Sequence, residues 1–224
     1  VAVGKHRRRA IMSACHAFWS LGGLLGAATG GFLIERMGVT GHVILVTIAA
    51  ALMLAFAWPM VLRDAPHPEE VHERLRLPRT ALPWLLGLMA LFCMIPEGAV
   101  IDWSALYLRQ ELGSSVTASG FAFAAFSLTM AIMRFAGDLV RDRFGAVRTL
   151  RVCAVISVTG LLLAGLAPSA DTAILGFALA GIGISNLVPI VFSAAGNLPG
   201  LRPGVGLSVV TTLGYSGILL APSA

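Results

Sequence analysis

The chain is 224 residues long, 57% hydrophobic and only 12% charged, with a formal net charge of +5. A soluble domain carries about 25% charged residues, so the charge here is too scarce to cover a water-facing surface, and the same numbers exclude a disordered chain. Cys15, Cys93 and Cys153 lie far apart in apolar runs, which excludes a disulfide scaffold.

Seven stretches reach the roughly 20 mostly apolar residues that a helix needs to cross a hydrocarbon core. They are residues 10–34, 42–62, 82–108, 117–136, 152–167, 172–195 and 205–224. Their apolar runs are continuous rather than alternating, which argues against barrel strands. The expected fold is therefore an all-α integral membrane protein with seven transmembrane helices. The cations are Lys5 and fifteen arginines, placed in clusters between the spans. They form no aromatic-interleaved basic face, so nucleic acid is not an expected partner. Counted over alternate connections, fourteen of the sixteen gather on one side, Arg134 among them, against Arg36 and Arg109 on the other. The positive-inside rule then makes the N-terminal segment cytoplasmic, in a multi-pass protein of the plasma membrane (the bacterial inner membrane). Val1 is not an initiator methionine and residue 224 stands at the end of a span, so the chain is expected to be part of a longer one.

The first span carries Gly22, Gly26 and Gly30 at four-residue spacing, with Gly31 beside them. Such a stripe allows a second helix to approach closely. His16 in the same span is a candidate proton-relay group, with a packed, hydrogen-bonded histidine as the plainer reading. The connection 63–80 is the longest and most polar, with Pro66, Pro68, Glu69, Glu70 and Glu73 among its arginines. It reads as a solvated linker. His67 and His72 within it lack the spacing of a zinc protease motif, and no metal or cofactor is expected.

The third span holds Pro96-Glu97-Gly98 and, five residues beyond Glu97, Asp102-Trp103-Ser104. A carboxylate at membrane depth costs several kcal/mol unless it faces a cavity, pairs, or takes a proton. Pro96 cannot donate to the helical ladder and Gly98 loosens the next turn, so a broken helix is expected here. Glu97 and Asp102 are thus candidates for substrate binding or proton coupling. At five residues' spacing they lie about 140° apart around an ideal helix and need not share a face. Asp102, nearer the outer end, also suits a structural role, and Trp103 and Tyr107 suit an interfacial aromatic belt.

Between the fourth and fifth spans stands Gly137-Asp138-Leu139-Val140-Arg141-Asp142-Arg143-Phe144-Gly145-Ala146-Val147-Arg148. It reads as a tight cytoplasmic turn whose glycines permit the bend and whose acids pair the surrounding arginines, Arg134 with Asp138 at i, i+4 included. The sixth span offers Ser185, Asn186 and Pro189. Asn186 at mid-depth has hydrogen-bonding groups to satisfy, by substrate or by helix–helix contact.

Taken together these segments resemble the major facilitator superfamily. Asp142-Arg143-Phe144-Gly145 matches the second half of the Gly-x-x-x-Asp-Arg-x-Gly signature in that family's cytoplasmic loops, although the leading glycine stands one residue early, with Asp138 in its slot. Gly22-x-x-x-Gly26-Ala27-Ala28-Thr29-Gly30-Gly31 is similar to the fifth-helix motif of its antiporter branch, with Ala27 in place of a proline and Ser13 in place of a glycine. Pro96-Glu97-Gly98 with Asp102-Trp103-Ser104 resembles the seventh helix of fucose-permease-like members. The resemblance implies that the seven spans are family helices 5 to 11. Residues 1–62 would then be the last two helices of the N-terminal half, 63–80 the central cytoplasmic linker, and 81–224 the first five helices of the C-terminal half. It implies that Gly137, Asp138, Asp142, Arg143, Gly145 and Arg148 form a conformational loop motif, and that Asn186 lies on a cavity-lining helix.

The function so implied is proton-coupled secondary active transport of a small solute by alternating access, with the lipid bilayer, the solute, protons and the remaining helices of the full-length chain as partners. The alternatives are a drug/proton antiporter of the same family and a non-transporting receptor or scaffold. An enzyme is not expected. A retinal-binding pump needs a lysine at membrane depth, and Lys5 is the only lysine. Gly214-Tyr215-Ser216-Gly217 fits the serine motif of a rhomboid-type protease, but His16 precedes the serine where that family's histidine follows it.

Overall fold

The computed structural model describes residues 12–61, 78–201 and 204–221, leaving aside the side chains of residues 12–17, 35, 61, 116 and 117. Most of the 63–80 connection and the His16 side chain therefore lie outside the described residues. All regular structure within them is helical: α1 (Met12–Val61), α2 (Ala81–Gln110), α3 (Val116–Phe144), α4 (Ala146–Gly165), α5 (Ala170–Ile184), α6 (Leu187–Gly196) and α7 (Val205–Leu220). Five stretches are long and apolar enough to cross a membrane: Arg36–Met60, Ala81–Gln110, Ala118–Phe144, Ala146–Gly165 and Ala170–Gly196. Phe18–Ile34 and Val205–Leu220 are shorter apolar helices. Each corresponds to one expected span.

Three boundaries differ from the sequence reading, each for a physical reason. The helix expected to break at Pro96 runs unbroken through Ala81–Gln110, and the break falls instead in the sixth span, where Ser185 and Asn186 separate α5 from α6. The charged stretch beyond residue 136 is helical rather than looped, since Gly137 to Phe144 complete α3 and the turn to α4 is Gly145 alone. Gly145 sits at φ 80°, ψ 152°, a region that is almost exclusively glycine's. Gly38 does the same inside α1, at φ 72°, ψ 169°, and divides it into the two spans that the sequence indicated.

The contacts divide the chain into two units, Val1–Ala28 with Leu77–Ala224, and Thr29–Arg76. In the larger unit α4 and α5 touch backbone to backbone: a Cβ on Gly183 would lie 2.6 Å from the Cys153 carbonyl oxygen, and one on Gly176 2.8 Å from Cα of Ala164. Lipid offers no hydrophobic drive between helices, so small residues that permit such approach carry the packing. Thr129 Oγ1 in α3 adds a 2.7 Å hydrogen bond to the Ala178 carbonyl of α5. Trp103 and Tyr107, expected at an interfacial belt, tie helices together: Trp103 Nε1 donates to the Ala221 carbonyl at 3.2 Å and the Tyr107 hydroxyl to that of Ala164 at 3.0 Å. Two apolar clusters fill this unit, one around Leu108, Phe126, Met130 and Ile184, the other around Met94, Val191, Phe192 and Val210.

In the smaller unit Arg36 lies over the Phe32 ring at 4.4 Å, and large apolar side chains such as Leu52, Met53 and Phe56 are exposed. A surface of this kind is what a lipid-facing helix presents.

Candidate functional site

The most buried charge in the larger unit is Arg134, 1% exposed. It projects from the middle of α3, and four elements supply its surroundings. The Nη2 group donates to both carboxylate oxygens of Glu97 in α2, at 3.1 and 3.3 Å. Nη1 donates to Ser20 Oγ in α1 at 2.6 Å. Nε donates to the Ser185 carbonyl, where α5 gives way to α6, at 3.3 Å. That last acceptor is free for a reason written in the sequence. An intrahelical donor to Ser185 would come from residue 189, which is Pro189 and has no N–H. The proline thus opens the helix at the point where the arginine needs a carbonyl.

Glu97 is 6% exposed, so the pair is withdrawn from solvent. Two ions in such surroundings are tolerated only with good geometry and with their remaining hydrogen-bonding capacity met. Arg134 meets that condition. Both residues stand on the wall of a cavity of about 260 Å³, whose other lining residues are Trp19, Met94, Val188, Tyr215 and Ile218. A second cavity of about 250 Å³, between α2, α4 and α5, holds no charged group; its one buried unpaired polar atom is the Ser104 hydroxyl. Only the first can hold or move charge.

The structure brings together fewer of the expected residues than the sequence reading grouped. Asp102 is exposed on α2 and does not line the Glu97 cavity. Asn186 is buried at 2% exposure but is turned from that cavity: its Nδ2 donates to Ser185 Oγ at 3.2 Å, and its side-chain amide fills the space where Gly137 lacks a Cβ. The leading glycine of the charged motif is thus a helix-contact position between α3 and the break in the sixth span. Farther along the motif, Arg141 pairs with Asp138 at 3.3 Å and approaches Asp142 at 4.0 Å, while Arg143 lies over the ring of Phe144. Arg134, one turn before Asp138, reaches Glu97 in α2. The glycine stripe of α1 makes little contact among the described residues. Nothing stands within 4 Å of a Cβ placed on Gly22, Gly26 or Gly31, and only the His42 ring, at 3.8 Å, approaches that of Gly30.

Arg134 was the residue that sequence reasoning missed. Counted with the cytoplasmic cations, it nevertheless lies inside the 117–136 span, where the cost applied to Glu97 applies equally. Ser20, Trp19 and Tyr215 had no signal of their own.

Comparison with known proteins agrees with this architecture. The Major Facilitator Superfamily model matches residues 2–222. An uncharacterized MFS-type transporter of Yersinia pestis is 31% identical over 225 residues, which cover 100% of this chain and 58% of the relative. An uncharacterized transporter of Sinorhizobium fredii is 32% identical over 99% of this chain and 59% of its own length. Membrane protein MosC of Rhizobium meliloti is 31% identical over 95% of this chain and 52% of its own. The chain thus spans little more than half the length of these curated relatives. No solved structure matches.

Proposed function

The chain belongs to the major facilitator superfamily, and on that premise we propose that the protein is a proton-coupled secondary carrier of a small solute, with Glu97 as the coupling carboxylate. The observation that carries this reading is the buried Glu97–Arg134 pair on a cavity wall. A proton on Glu97 cancels the attraction to Arg134 and leaves the guanidinium on its other acceptors. Loading and unloading that proton therefore switches the pair between a closed and an open arrangement, which is the two-state element that alternating access requires.

In this reading residues 1–62 close the N-terminal half of the carrier, 63–80 link the halves on the cytoplasmic side, and 81–224 open the C-terminal half, with the N-terminal segment in the cytoplasm of a bacterial inner membrane. Ser20 then belongs to one half and Arg134 to the other, so their 2.6 Å hydrogen bond crosses the surface that rocking must rearrange. The charged motif supports the same motion: Gly145 provides a one-residue pivot between α3 and α4, and Gly137 holds α3 against Asn186. The fucose-permease-like resemblance of the Glu97 segment favours uptake of solute with protons over drug export.

The test uses the full-length protein in proteoliposomes, first screened against small metabolites for counterflow. Glu97→Gln is expected to abolish proton-driven accumulation while counterflow persists. Accumulation equal to wild type would remove Glu97 from the coupling step, and absence of counterflow in the wild type across the screen would favour a non-transporting scaffold.

A further inference from the structure

We propose that the second cavity, between α2, α4 and α5, is a binding site for a small uncharged ring compound that exchanges one hydrogen bond with the Ser104 hydroxyl. The site stands apart from the Glu97 cavity and does not rest on the coupling role given to that carboxylate.

The first argument is the hydroxyl. A serine or threonine inside a helix ordinarily settles its hydroxyl on a carbonyl three or four residues back. Thr159 does so on Val155, Thr211 on Leu207 and Ser216 on Leu213. Ser104 does not. It is 2% exposed, its Oγ has no hydrogen-bond partner, and it stands on the cavity wall. A buried polar atom without a partner is costly, and a ligand with one hydrogen-bonding group relieves that cost. The neighbouring donors on α2 are already engaged: Trp103 Nε1 on the Ala221 carbonyl and the Tyr107 hydroxyl on that of Ala164. A water needs two to four polar partners, and this wall offers it little beyond Ser104.

The second argument is shape and charge. The cavity measures about 250 Å³. An apolar cavity of about 150 Å³ takes one benzene ring, so this one suits a body of about two fused rings. Its wall presents Trp103, Tyr107 and Phe177 beside the aliphatic Val100 and Leu161. Tyr107 and Phe177 meet edge to face at 6.5 Å between centroids, and such faces and edges suit a flat ring. Neither a carboxylate nor an arginine, lysine or histidine lines it, so an ion would enter without a counter-charge, at heavy cost. Trp103 and Gly165 on the wall are exposed. Ser104 stands about 9 Å along the axis from the end of α2 at Gln110, within a stretch long and apolar enough to cross a membrane. The compound therefore arrives through the bilayer, in which uncharged ring compounds dissolve.

The test is saturable binding of 2-naphthol to the purified full-length protein in lipid–detergent micelles at pH 7. Equilibrium dialysis against protein-free micelles of the same composition removes the contribution of simple partition. Naphthalene supplies the rings without the hydroxyl, and 2-naphthoate the rings with a charge. One site per chain is expected, with 2-naphthol bound about fivefold more tightly than naphthalene, the worth of one neutral hydrogen bond. It should bind at least about tenfold more tightly than 2-naphthoate. Ser104→Ala should bind 2-naphthol and naphthalene equally and unfold no more readily than wild type, since it deletes an unpartnered group. Ala99→Leu, which fills the cavity, should remove saturable binding. A preference for 2-naphthol that survives Ser104→Ala would overturn the role of the hydroxyl. A clear loss of stability in Ser104→Ala would do the same, by showing that the hydroxyl already has a partner. Binding of 2-naphthoate as tight as that of 2-naphthol would overturn the uncharged class. Absence of saturable binding in wild type, or binding that Ala99→Leu leaves intact, would overturn the site. Loss of saturable binding as phospholipid is raised, at constant probe per micelle, would give the cavity to an acyl chain instead.

Discussion

Removing Arg134 should cost the fold more than neutralising Glu97, although the two residues share one ion pair. Arg134→Met deletes donors to Glu97, Ser20 and Ser185 together and strands a carboxylate that is 6% exposed. Breaking a buried pair from one side typically costs about 3–5 kcal/mol, and the bonds to Ser20 and Ser185 place this variant at the upper end. Glu97→Gln also removes a counter-charge from a buried ion, but it keeps a carbonyl oxygen beside Nη2 and leaves the Ser20 and Ser185 acceptors in place, so its cost falls at the low end of that range, about 3 kcal/mol. The double variant strands no ion and should fall short of the summed cost by about 1–3 kcal/mol. Equilibrium unfolding of the full-length protein in mixed micelles measures all three. The reasoning is wrong if Glu97→Gln is the costlier single change, or if the two changes add without interaction.

Glycine contacts give a second, independent set of outcomes. Gly183→Ala places a Cβ against the α4 backbone at Cys153 and Ser157 and should cost about 1–3 kcal/mol, whereas Gly165→Ala, with nothing within 4 Å, should stay within about 0.5 kcal/mol; similar melting shifts for both would refute the α4–α5 contact. Gly145→Ala should cost about 1–3 kcal/mol because φ 80°, ψ 152° is closed to side chains, and Gly145→Asn should do no better, since asparagine is at home only at smaller ψ; rescue by asparagine in the same unfolding assay would argue against the observed turn. Pro189→Ala returns an N–H to the Ser185 carbonyl in competition with Arg134 Nε. Unfolding free energy should change by less than about 1 kcal/mol while solute uptake falls several-fold, and unchanged uptake would show that the opened helix does not serve the site.

Most of the architecture was legible because bilayers impose long apolar runs and cations mark their ends. The spans at 42–62 and 82–108 reappear as Arg36–Met60 and Ala81–Gln110. What failed did so where a residue's local signal and its tertiary use diverge. Pro96 looks like a break, yet α2 passes through it; Pro189 opens its helix because Arg134 takes the freed carbonyl. The arginines at 141, 143 and 148 read as a loop because charge ends a hydropathy run, although charged residues continue a helix well once it leaves the hydrocarbon. Arg134 itself was grouped with them by sign alone. Glu97 could be singled out from its cost in a membrane, but its partner 37 residues away could not, because nothing in a one-dimensional pattern specifies which faces of α2 and α3 meet. The same limit applies to Asn186, whose polarity was legible and whose packing against Gly137 was not.

The central claim, that Glu97 takes the coupling proton and releases Arg134, is tested most directly by infrared difference spectroscopy of the full-length protein in lipid as the bathing pH is lowered. The account predicts a carboxylic-acid carbonyl band that grows as the pH falls and is missing from Glu97→Gln. A spectrum in which wild type and Glu97→Gln gain the same band, or in which Glu97 stays a carboxylate while proton-driven uptake proceeds, would contradict it.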